Sequence, residues 1–301
     1  MTKTALVTGA TGFVGSNLIR RLVLESWCVH ILIRPESSMT LIHGVCEQIT
    51  LHTHDGTTTN MLKIMTEVKP DLVFHLASLF IATHQTHDIE SLINSNLLLG
   101  TQLLEAMDKG NVRYMVNVGT SWQHFENHNY DPVNLYAATK QALQVILRFY
   151  TCSTPLKVIT LKLYDTYGAY DPRAKLFSLL QKISANEQPL AMSPGEQLID
   201  IVYIDDVLDA FMLAADRLLE DKVNDVEDFA VSSGHPLKLK EVVKIYAKIT
   251  GKVFPIIWGG RKYRDREVMQ PWNTGKLLPG WKAKVSLKDG INRVIQIEGG
   301  E

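Results

Sequence analysis

Short apolar runs rich in β-branched residues alternate with stretches of helical periodicity through the first half of the chain. Residues 5–8, 29–33, 48–52, 72–75, 113–118 and 157–163 read as strands, and the segments between them read as helices. That alternation predicts an α/β fold built on a doubly wound parallel sheet. Two helical stretches, 89–107 and 135–150, carry apolar residues on more than one face. A stripe that wide is either sunk between sheet and loops or turned toward a second subunit. After Leu163 the pattern loosens into YDTYGAYDPRAK and EQPLAMSPGEQ, rich in Pro, Gly and charge. Residues 199–204 read as one more strand, feeding a helix whose first turn carries Asp205 and Asp206, and 229–231 reads as a last strand.

Composition narrows the function classes. A chain of 301 residues, 46% hydrophobic and 21% charged, can bury a large core, and a formal net charge of -1 gives no global reason to expect a nucleic-acid or membrane partner. Three scattered cysteines argue against a disulfide framework and for a reducing compartment. No apolar run approaches bilayer length, and the glycines with Arg20 and Arg21 interrupt the stretch after Lys3 too early for a signal sequence. A cytoplasmic protein without a metal site is expected.

Chemistry enters with TGATGFVGSN at residues 8–17, set between the first strand and the first helix. Gly9 can turn the chain sharply, Gly12 lets backbone amides approach a pyrophosphate, and Gly15 lets the helix pack on the strand. The helix N-terminus then offers free amides to the anion, so the segment reads as a dinucleotide cradle. Arg34 ends the second strand, where NAD-selective sites place an acid for the ribose hydroxyls. With Ser37 and Ser38 beyond it, a 2′-phosphate is accommodated and NADP(H) is favoured over NAD(H); the alternative is that Glu36 takes the acidic role or that Arg34 stacks on adenine. Tyr136 and Lys140 in NLYAATK share a helix face. An ammonium beside a phenol favours the phenolate and makes the tyrosine an acid/base. Thr120 and Ser121 end the fifth strand at the edge where open α/β sheets bind ligands, as substrate hydroxyl partners or as a helix cap.

These residues resemble the extended short-chain dehydrogenases/reductases that act on nucleotide sugars. TGATGFVGSN is similar to that family's cofactor loop, Asp55-Gly56 to its adenine-side turn, HLAS at 75–78 to its fourth-strand motif, and YAATK to its catalytic pair. LKLYDTYG, DIVYIDDV and LPGWKAKVSLKDGI resemble its later motifs in the same order. The resemblance implies Thr120, Tyr136 and Lys140 as catalytic residues. It implies a cofactor contact set of Gly9, Thr11, Gly12, Phe13, Val14 and Gly15, then Arg34, Ser37, Ser38, Asp55 and Gly56, then Leu76, Ala77 and Ser78, with Tyr136 and Lys140. On the substrate side it implies Ser121, Asp165 and Lys175, with Arg264 and Arg266 for a diphosphate. Residues 1–163, with about 201–233, are then the NADP-binding domain, and 164–200 with 234–301 the nucleotide-sugar-binding region. A homodimer through a helix bundle is expected.

Departures from the family pattern sharpen the reading. The stretch between Thr120 and Tyr136 is short, Asp165 stands where Asn is common, Ala169 where Pro is common, and Ile199 where Arg often precedes the Asp. Thr120 is followed by Ser121 and Trp122, without the acid a 4,6-dehydratase needs. His124, Glu126 and His128 lie on a polar loop nearby and read as solvated. The leading expectation is an NADPH-dependent reductase of a 4-keto-deoxy nucleotide sugar, with CDP as first candidate nucleotide. The alternatives are a nucleotide-sugar epimerase and a non-catalytic NADP-binding sensor or scaffold.

Overall fold

The computed structural model describes residues 2–186 and 189–299. The first half runs β1 (Thr4–Thr8), α1 (Phe13–Leu24), β2 (Cys28–Ile33), β3 (Ile49–Thr53), α2 (Thr58–Val68) and β4 (Leu72–His75). Next, α3 (Ile89–Ile93) passes through a π-helical segment, Asn94–Leu98, into α4 (Leu99–Lys109), followed by β5 (Tyr114–Thr120), α5 (Leu135–Ser153) and β6 (Lys157–Leu163). The second half holds β7 (Asp165–Tyr167), α6 (Leu176–Asn186), β8 (Leu190–Met192), β9 (Leu198–Ile199), β10 (Ile201–Tyr203) and α7 (Ile204–Leu219). It ends with β11 (Val226–Val231), β12 (Leu237–Lys238), α8 (Leu239–Thr250), β13 (Ile256–Trp258) and α9 (Leu287–Glu298).

Seven parallel strands form one sheet in the order β11-β6-β5-β4-β1-β2-β3. Alternate residues of β1 feed two cores. Ala5 and Val7 pack with Leu18 and Ile19 of α1 and Ala210 and Phe211 of α7. Leu6 packs with Met61 and Met65 of α2, Leu103 of α4 and Leu143 of α5. Burial on both faces explains why these strands read as continuous apolar runs. Strand order reverses at β1, because the chain steps outward through β2 and β3 and then returns to β4 on the other side. The loops after β1 and β4 therefore diverge and leave a crevice at the C-terminal edge of the sheet.

Three two-stranded pairs, β7 with β10, β9 with β12 and β8 with β13, carry the second half. The single strand expected at 199–204 is instead two, with Ile204 already in α7. Asp200 makes the break: its buried carboxylate turns inward to accept from the Ser232 hydroxyl (2.5 Å) and the Ser233 amide (2.9 Å). Cys28, Cys46 and Cys152 are unpaired. Among the described residues no helix is long and apolar enough to cross a membrane, and no group of side chains could hold a metal ion.

Candidate active site

The crevice is a cavity of about 700 Å³ between the ends of β1, β2 and β4. Gly9 has φ +71, and a Cβ there would stand 2.6 Å from the Ala77 amide nitrogen, so the turn and the close approach to β4 both require glycine. A Cβ on Gly15 would collide with the Gly9 carbonyl. Gly12 starts α1 with no side chain capping it, which leaves the first-turn amides to an incoming anion. The pocket thus fits a dinucleotide. Gly9, Thr11, Gly12, Arg34, Ser37, Asp55, Gly56, Leu76, Ala77 and Ser78 all line it. Phe13, Val14 and Gly15 are the first turn of α1 rather than the wall, with Phe13 buried under the Arg173 guanidinium at 4.6 Å.

One expected rim residue lies off the cavity, and two that line it already hold partners. Ser38 does not line the cavity; its hydroxyl is 3.0 Å from that of Thr40. Arg34 is exposed and faces Glu36 at 3.2 Å, while the Ser37 hydroxyl accepts from the Arg34 amide. Asp55 accepts from the Thr57 amide and hydroxyl (2.8 and 2.7 Å), bonds that hold its carboxyl below the ordinary value.

Tyr136 and Lys140 of α5 do not line this cavity; the Tyr136 phenol reaches its wall at the Ser78 hydroxyl. The α5 N-cap Asn134 accepts from the Ala137 amide (2.9 Å) and donates to the Ala82 carbonyl (2.9 Å), which ties the start of the helix to the chain after β4. Burial pushes the Tyr136 phenol up to about 12, against the opposing influence of the Ser78 hydroxyl, the Arg173 charge and the Thr120 hydroxyl. The lysine expected to lower it is itself buried: the Lys140 ammonium has no hydrogen-bond partner and is pushed down to about 8. Desolvation therefore dominates the phenol, and Lys140 is not among the groups that oppose it. Beside Lys140 lies His75. Its Nδ1 lies 2.8 Å from the Thr8 hydroxyl, which accepts from the Ala77 amide (3.1 Å), and its Nε2 is buried without a partner among the described residues. Burial, then the Lys140 charge, holds it down to about 3. Thr120 also accepts from the Trp122 amide (3.3 Å), so it caps the turn after β5 as well as facing Tyr136.

Asn96, in the π-helical segment, is fully buried and was not singled out from the sequence. Its Oδ1 accepts from the Leu79 amide (2.7 Å) and the Ser78 hydroxyl (3.2 Å); its Nδ2 donates to the Leu79 carbonyl and the Thr139 hydroxyl (both 3.0 Å). It clamps the loop after β4 to α5, one residue from Lys140. The signal was present as an asparagine inside the apolar run SLINSNLLLG.

A second recess opens beyond Thr120, lined by Ser121, Trp122, Asp165, Gln197, Arg264 and Trp272 among others. The Lys175 ammonium stands 2.8 Å from Asp165 and over the Phe80 ring, whose edge contacts Tyr136 at 5.0 Å. Arg264 lies over Trp122 and donates from Nε and Nη2 to Glu267, both at 3.0 Å. Arg266 does not share this recess: it pairs with Asp131 and covers Phe125, since the chain turns over between the two arginines. His124 is not solvated either. It is buried, stacks on Trp272 at 4.1 Å and accepts from the Lys162 ammonium at 2.8 Å, and burial with that charge pushes it down to about 4.

A parallel sheet reversing at β1, a glycine cradle at its edge and a Thr–Tyr–Lys group beside it define a nicotinamide-dinucleotide enzyme of the Rossmann type. The chain belongs to the NAD dependent epimerase/dehydratase family, whose model matches residues 5–227. It is 27% identical over 300 residues to CDP-abequose synthase of Salmonella muenchen, covering 98% of each chain. It is 26% identical over 325 residues to UDP-glucose 4-epimerase GEPI48 of Cyamopsis tetragonoloba, covering 95% of this chain and 92% of that one. In fold it is similar to UDP-glucose 4-epimerase from Thermotoga maritima solved with UDP-glucose, with a TM-score of 0.85, 21% identity and 99% of both chains covered.

Proposed function

We propose that the protein is an NADPH-dependent reductase that delivers hydride to C4 of a 4-keto-deoxy nucleotide sugar, CDP-linked, with Tyr136 as the proton donor. The observation that carries this reading is the placing of the Tyr136 phenol against the Thr120 and Ser78 hydroxyls, with Ser121 rather than an acid next to Thr120. A reduction needs the tyrosine to give up a proton, whereas an epimerase needs it first as a base. Similarity to CDP-abequose synthases supports CDP as the nucleotide. The α1 amides would hold the dinucleotide, which as NADPH would supply the hydride. Lys140, buried without a partner, donates to cofactor ribose hydroxyls; Thr120 orients the substrate carbonyl; Arg34 and Ser37 take the 2′-phosphate, with Glu36 released from Arg34.

Val145 and Phe149, four apart on α5 and 62% and 64% exposed, support pairing with a second copy along that helix. The reducing compartment expected from the unpaired cysteines suits an enzyme that draws on NADPH.

The test is incubation with NADPH and a 4-keto-6-deoxy or 3,6-dideoxy-4-keto CDP-sugar, followed by nicotinamide fluorescence and product analysis. One NADPH oxidised per alcohol formed, with cofactor deuteride on carbon, is expected. Interconversion of UDP-glucose and UDP-galactose with no net change in cofactor would replace this reading with the epimerase, the activity named for the relatives from plants.

A further inference from the structure

We infer that Gln197 reads the substrate: its side-chain carbonyl accepts a hydrogen bond from a ligand donor, either a sugar hydroxyl or the exocyclic amine of the base. This rests on the nucleotide-sugar reading above. Gln197 is 6% exposed and lines the recess beyond Thr120 with Ser121, Trp122, Arg264 and Trp272. Its Nε2 donates to the Ser193 hydroxyl at 3.0 Å, and Ser193 is itself buried. Its Oε1 is buried and has no partner among the described residues. An amide oxygen withdrawn from water and given no donor is unfavourable, and a ligand site is where such an acceptor finds one.

The orphan is held in place by its surroundings. Gly195 has φ +78, and a Cβ there would stand 2.7 Å from the Lys240 side chain and press on the Trp258 ring. The Leu239 amide donates to the Gln197 carbonyl (3.0 Å) and the Lys240 amide to that of Gly195 (3.1 Å). The Lys238 and Lys240 ammoniums grip Glu196 at 2.8 and 2.9 Å. The loop is thereby pinned to the start of α8, and Gln197 has a fixed direction.

The other carboxylates lining the recess each hold a partner, and Asp165 is also part-exposed to water. Asp165 is held by Lys175, Asp200 by Ser232 and Ser233, and Glu267 by Arg264. A ligand group entering the recess with an O–H or N–H therefore meets in Gln197 Oε1 an acceptor that costs no existing bond. That makes Gln197 a specificity-determining residue, distinct from the Thr120–Tyr136–Lys140 group.

The test uses the protein saturated with NADP⁺, so that no turnover intervenes, and measures CDP-glucose, CDP and UDP binding calorimetrically. Gln197→Met is expected to weaken CDP-glucose roughly 10- to 100-fold, the range for a buried hydrogen bond lost from one side. Loss confined to CDP-glucose assigns the donor to the sugar; loss for CDP-glucose and CDP but not UDP assigns it to the base amine. Unchanged affinity for all three, or equal loss for all three, overturns the inference. NADP⁺ affinity is the folding control. If it falls, Gln197→Asn, which keeps the amide but withdraws it by one methylene, decides by the same comparison. A wild-type protein that binds no nucleotide sugar overturns the nucleotide-sugar reading itself, and this inference with it.

Discussion

Replacing Lys140 with Met should make the ligand-free protein more stable while destroying its activity. The lysine is 3% exposed and its ammonium has no hydrogen-bond partner among the described residues, so the folded state holds a charge it does not solvate. Burial lowers its pKa from 10.5 to about 8. At about 1.36 kcal/mol for each tenfold change in proton affinity, that is roughly 3 kcal/mol of destabilisation at pH 7. The sign follows from proton counting. Between about 8 and 10.5 the unfolded chain binds the proton and the folded chain does not, so stability rises with pH in that window; below about 8 both carry it and the cost is constant. Met fills a similar volume without charge. Urea unfolding of the ligand-free proteins at pH 7 should show Lys140→Met more stable by about 2–3 kcal/mol, a midpoint roughly 1 M higher for a slope near 3 kcal/mol/M. From pH 8 to 10 wild type should close the gap. Saturating NADPH should reverse the order, because only wild type gains the bonds to the ribose. A variant less stable than wild type at pH 7, or a gap that does not narrow at alkaline pH, would refute the reasoning.

Further outcomes can be checked independently. Tyr136→Phe should lose about 10²–10⁴-fold in turnover and keep NADPH affinity, and near wild-type turnover would remove the tyrosine from the chemistry. Arg34→Asp should weaken NADPH strongly and NADH little, as titration of both cofactors would show; an unmoved ratio means that Arg34 does not select. Asn96→Leu strands the Leu79 amide and carbonyl and removes the acceptor of the Ser78 hydroxyl, so it should cost about 3 kcal/mol in chemical denaturation and depress turnover as well. Phe149→Glu should shift sedimentation from dimer to monomer without altering the NADPH affinity of the protomer.

Much of the frame was written in the local pattern. Most strands of the main sheet are buried on both faces and stood out as apolar runs, β3 at the half-exposed edge being the exception, and the limits of the first six fell within two residues of those observed. What escaped depends on partners distant in the chain. Residues 199–204 carry an unbroken strand pattern, and only the bonds from Asp200 to Ser232 and Ser233 split it. Arg264 and Arg266 look equivalent in sequence, yet Arg266 is taken by Asp131, 135 residues away in the chain. His124 sits in a polar stretch, and its burial is set by Lys162 and Trp272. The Lys140–Tyr136 spacing gave the shared face but not the desolvation, since burial depends on everything packed around α5.

The π-helical turn at Asn94–Leu98 amounts to one residue too many for an α-helix in that span. Removing any one residue there would let the helix run on as a regular spiral, which by local propensity alone is an improvement. It would also rotate everything upstream by roughly 100° and carry it about 1.5 Å along the axis. Asn96 would then swing off the loop after β4, and the exposed Ile89 and Ile93 would present a different face to the surroundings. The segment is therefore a length constraint on this lineage: substitutions on its outer surface can accumulate, but single-residue deletions between 94 and 98 are closed to it, because a better helix there is a dislocated active-site wall.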